Sequence, residues 1–126
     1  MIATFALALA LTGGQVRTID WPALAPLPYR TPPVITPEML TFVAKEVVAR
    51  KCALAIGPGL ALSIDVAVLV DAQDNIRTTV PRAIQCPAVE QYAAAMVAGA
   101  ARGNLLPRTA SADQWYRTTV TFVWPK

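Results

Sequence analysis

A chain of 126 residues, 55% hydrophobic and 15% charged with a formal net charge of +3, is large enough for one modest core and too short for two. Those proportions exclude a disordered polar chain. They also exclude a nucleic-acid footprint, because Arg77, Arg82, Arg102, Arg108 and Arg117 stand singly among acidic residues and form no basic stripe.

The first stretch, MIATFALALALTGG, carries an apolar run from Ile2 to Leu11 that ends in small residues. It has the length of a secretory h-region and falls short of the roughly 20 residues a spanning helix needs. Residues 1–14 are therefore expected to be a signal peptide, with candidate cleavage sites after Ala10 or near Gly14. An apolar segment folded into the core is the alternative. A strap follows over residues 15–36, and six of the eleven prolines fall from Pro22 to Pro37. That density forbids a helix or a central strand, so the strap is extended; it is expected to lie along the domain with Trp21 and Tyr29 as its anchors, the alternative being a bridge to a partner.

The domain proper is expected over residues 37–126. Thr36, Pro37 and Glu38 supply a hydroxyl N-cap, a first-position proline and a first-turn acid for a helix. Leu40, Val43, Ala44, Val47 and Val48 form its apolar stripe, Cys52 lies one turn beyond, and Ile56-Gly57-Pro58-Gly59 breaks it. From Ala61 the period becomes two, with Leu62, Ile64, Val66, Val68 and Val70 on one face. The turn Asp71 to Asn75 leads to a second strand through about Ile84, with Ile76, Val80 and Ile84 inward. Pro81 cannot donate to a ladder, which puts this strand at an edge or ends it early.

Pro87 then opens an alanine-rich helix that Gly103 closes. Val89, Tyr92, Ala93, Met96, Val97 and Ala100 make its apolar stripe, opposite a small-residue face of Ala94, Ala95, Ala98 and Gly99. A last strand runs from Trp115 to Trp124, with Tyr116, Val120, Phe122 and Trp124 on one side and Arg117, Thr119 and Thr121 on the other. The order α-β-β-α-β, with one apolar face on each element, predicts an α+β fold: two helices on one face of a three-stranded antiparallel sheet.

Little chemistry is available to such a chain. Histidine is absent, so Ser–His and Cys–His nucleophile pairs are impossible. Asp71 and Asp74 sit in a turn that favours aspartate for backbone reasons, and Gly57-Pro58-Gly59 lacks the lysine and helix of a phosphate loop. Two cysteines without histidine cannot complete a four-ligand zinc site. In an exported chain Cys52 and Cys86 are expected to form one disulfide, whose 34-residue loop would stabilise the fold by about 3–4 kcal/mol. Two separate buried thiols are the alternative, and Cys86 at a helix start is the remaining redox candidate. No enzyme activity, metal or cofactor is expected.

The succession "VLVDAQDNI", "VEQYAAAMV", "NLLP" and "WYRTTVTFVW" resembles the C-terminal domain of the TonB energy-transducer family over residues 37 to 124. The resemblance implies a periplasmic module in a Gram-negative type of envelope, whose last strand is an open edge that pairs with a short segment of an outer-membrane receptor. Tyr116, Arg117, Thr119, Thr121 and Val123 would then contact the partner. A stand-alone structural or accessory periplasmic protein of the same fold is the second expectation, because the leader and short strap differ from a transducer's membrane-spanning helix and long spacer. No stable membrane span is expected, and an open edge could equally pair two copies in a homodimer.

Overall fold

The computed structural model describes residues 18–126, so the expected signal peptide lies outside the described residues. A single 3₁₀ turn at Trp21–Ala23 leads into a two-residue strand β1 (Ala25–Pro26). Helix α1 (Pro37–Ala49), strand β2 (Ala61–Val70), strand β3 (Ile76–Pro81), helix α2 (Pro87–Ala101) and strand β4 (Gln114–Val123) follow. The α-β-β-α-β order holds, but the sheet has four strands and is mixed, in the order β1-β4-β2-β3. β2 pairs antiparallel with both β3 and β4, while β1 pairs parallel with β4 through Ala25–Tyr116 and Pro26–Arg117. A fourth strand was hidden by its composition: two residues ending in proline carry no strand periodicity.

Each helix starts as its sequence dictates. Thr36 accepts the Met39 N–H at 3.3 Å, and Pro37 fills the first turn, where its missing donor costs nothing. Val43 and Val47 are buried, whereas Val48 is 72% exposed and leaves the expected stripe. At α2 no side chain caps the first-turn amides; Glu90 instead reaches back to the chain ahead of the helix, accepting from Ile84 N at 2.9 Å and Cys86 N at 3.0 Å. Ala94 and Ala101 join Val89, Ala93 and Val97 in the core. The small-residue face is thus split: Ala94 lies under β3, where its carbonyl accepts from Thr79 Oγ1, while Ala95 and Gly99 face solvent.

One core lies between the helices and one sheet face. Ile64, Val66, Val68 and Val70 of β2 meet Val120 and Phe122 of β4, and Val43, Val47, Val89 and Val97 close over them. Full burial of such side chains contributes about 1.5–3 kcal/mol each. The Cys52–Cys86 disulfide is formed, with Cα atoms 5.5 Å apart, and ties the chain beyond α1 to the start of α2. On β3 the expected inward set is altered. A bulge at Leu69/Val70 skips Arg77, so Ile76 and Thr79 both face the helices and Val80 lies opposite Ala67 on the outer face.

The strap wraps the sheet as an extended segment. Trp21 stacks under the Arg82 guanidinium, 5.3 Å from its ring centre, and Tyr29 bridges to Leu105. Arg30 N donates to Asn104 O and Leu106 N to Pro28 O, which carries the strap from the β4 edge onto the helix side of the sheet.

Candidate functional site

Backbone groups along a strand point alternately to its two neighbours. Trp124 N donates to Leu60 O at 3.0 Å, so the even-numbered residues of β4 face β2. Leu27 N donates to Arg117 O at 2.8 Å, so the odd-numbered residues face away from β2. Arg117 is thereby paired with the strap. Thr119, Thr121 and Val123 turn N–H and C=O outward with no backbone partner among the described residues.

The expected edge is therefore shorter than the last strand. Its start is covered by β1, and β4 lies between β1 and β2 in the sheet. Tyr116 is 6% exposed, faces the core, and accepts from Arg108 Nη1 at 2.8 Å, so its side chain is not on the outward edge. Arg117, Thr119, Thr121 and Val123 do share the outer face, with Val123 57% exposed. On that face Thr119 Oγ1 donates to Asp65 Oδ1 at 2.6 Å, and Thr121 Oγ1 lies 3.1 Å from Ser63 Oγ. Arg82 Nη1 takes the other carboxylate oxygen of Asp65 at 3.2 Å. Arg117 has no ion-pair partner among the described residues.

A groove of about 220 Å³ runs beside this edge on the helix side. Tyr29, Pro32, Pro33, Ile35 and Met96 form its apolar wall, and Thr118 to Thr121 form its floor. Burial raises the Tyr29 phenol above its ordinary pKa, and the hydroxyl, beside Thr118, makes no hydrogen bond of good geometry. A polar recess of about 280 Å³, lined by Pro26, Leu27 and Arg117 to Thr119, marks where the strap leaves the edge. The prolines hold this wall extended and supply no donors that would pair with β4.

Elsewhere the geometry is structural. Asp71 accepts from Gln73 N and Asn75 N, both at 2.9 Å, and these bonds with Arg77 nearby hold its carboxyl below the ordinary range. Arg108, whose side chain is 4% exposed, donates to Asp74 Oδ1 at 2.8 Å and to the Asp71 carbonyl. Nothing in the sequence marks Arg108 for this role, since it stands alone in a loop. Among the described residues no cluster of three or more His, Cys, Asp or Glu could hold a metal ion. None of the described helices is long and apolar enough to cross a membrane.

Comparison with family models, with curated proteins and with solved structures finds no match.

Proposed function

We propose that this chain is a protein-binding module that receives an extended partner segment by strand addition along Thr119, Thr121 and Val123. The observation carrying this reading is the run of outward, unpartnered backbone groups beside a preformed groove. The disulfide suits an oxidising compartment, which supports an exported, periplasmic setting. Likeness to the TonB C-terminal domain supplies a class of partner, an outer-membrane receptor segment. The strap over Tyr116 and Arg117 favours a second reading, a stand-alone accessory protein whose own chain closes the edge in part.

A photo-reactive residue at Thr121, compared with one at Thr78, exposed on the outer face of the far edge strand β3, tests the proposal in cells. Adducts with an envelope protein are expected from position 121 only and are lost in Thr119→Pro. Equal adducts from both edges, or adducts that survive Thr119→Pro, overturn it.

A further inference from the structure

Two features of the edge go beyond its openness: the two faces that an added strand would meet are unlike, and one of them carries an unpaired charge. On the helix side the wall is apolar, formed by Tyr29, Pro32, Pro33, Ile35 and Met96. On the outer side lie Thr119, Thr121 and, at the closed end, Arg117. Asp65 is the acid nearest to Arg117 by register, since Asp65 pairs with Thr119 and Ala67 with Arg117. Both oxygens of Asp65 are already taken, one by Arg82 and one by Thr119. Arg117, half-buried as a residue and lining a polar recess, is left without a carboxylate partner among the described residues.

Resting on the strand-addition reading, we infer that the partner segment is amphipathic, with apolar residues at alternate positions and an acidic side chain on its outer face that pairs with Arg117. Successive side chains of a strand point to opposite faces, so the apolar set meets the strap wall while the alternate set lies over Thr119 and Thr121. A residue opposite Thr119 is the diagonal neighbour of Arg117, about 7–8 Å away between backbones, a gap that Glu and Arg side chains span together. The residue directly opposite Arg117 is Pro26, so the strap blocks any closer approach. Arg117 thus fixes register: a slip of one position turns the acid into the apolar wall.

The test uses blocked hexapeptides that alternate valine with threonine and carry either glutamate or glutamine at a central threonine position. Affinity is read by fluorescence anisotropy, and location by amide shifts of the folded protein. The glutamate peptide is expected to bind roughly three- to tenfold more tightly at low salt, with the difference shrinking as salt rises. Arg117→Gln should lower its affinity to that of the glutamine peptide and leave the glutamine peptide unchanged. Equal affinities in the native protein overturn the inference while leaving strand addition standing, provided that both peptides shift Thr119 to Val123. A glutamine peptide with a free C-terminal carboxylate is the control, and a gain from that peptide alone overturns the side-chain assignment. If neither peptide shifts those amides, strand addition itself fails, and the inference with it.

Discussion

The two long-strand edges of the sheet are built differently. Arg82 N donates to Asp65 O at 2.8 Å, so Thr79 and Pro81 of β3 are the residues that point outward, and Pro81 has no donor to offer. A bulge and two arginines, Arg77 and Arg82, further disrupt that side, which are the ordinary means of discouraging strand pairing. On β4 the outward residues Thr119, Thr121 and Val123 keep donor and acceptor alike, with no proline or bulge among them. Exposure alone does not distinguish the edges; the parity of the outward residues does.

The bluntest way to break this comparison is to loosen both edges together. Replacing Cys52 and Cys86 by alanine is expected to cost about 3–4 kcal/mol in a urea titration, because the denatured chain regains the freedom of a closed loop. An unchanged midpoint would show that the disulfide constrains little. Parity itself is sharpened by a pair of variants. Thr118→Pro removes a donor that points at β2, whereas Thr119→Pro removes one that points away, so the first should be less stable by about 1–3 kcal/mol in thermal denaturation. Equal losses would contradict the assigned parity.

The smallest effect concerns the turn at the closed edge. The folded state holds the Asp71 carboxyl below its ordinary value, through amide bonds and Arg77, while the unfolded chain restores that value. Its contribution to stability is therefore present above the unfolded value and is lost as pH falls through the depressed folded one. Stability measured down into the acid range should decline less steeply for Asp71→Asn than for the native chain; identical slopes would remove Asp71 from the acid response.

Both helices and the hairpin are legible in the sequence, because Thr36, Pro37, Pro87 and Gly103 punctuate periods that change cleanly from 3.6 to two. The disulfide is legible from cysteine count and an export-like leader. The phase of β3 is not, since a bulge leaves no mark in its composition and moves Val80 to the outer face. β1 is equally silent: Ala25 and Pro26 are strand only because β4 lies beside them. For the site, Thr119, Thr121 and Val123 can be picked out by alternation, but the closed start of the edge cannot. Tyr116 shares the strand with them and is separated by parity, by burial and by its bond to Arg108.

Arg108 joins the hairpin turn at Asp71 and Asp74 to Tyr116 at the start of β4, on the near side of the exposed segment that leads into that strand. A protease cut within residues 109–113 would thus separate two pieces that remain complementary. The larger piece would keep the disulfide, the strap and Arg108, and the smaller would keep a strand registered along all of β2. Covalent continuity at that loop and cohesion of the sheet are separable, so the loop can tolerate cleavage or insertion while the edge beside it keeps its shape.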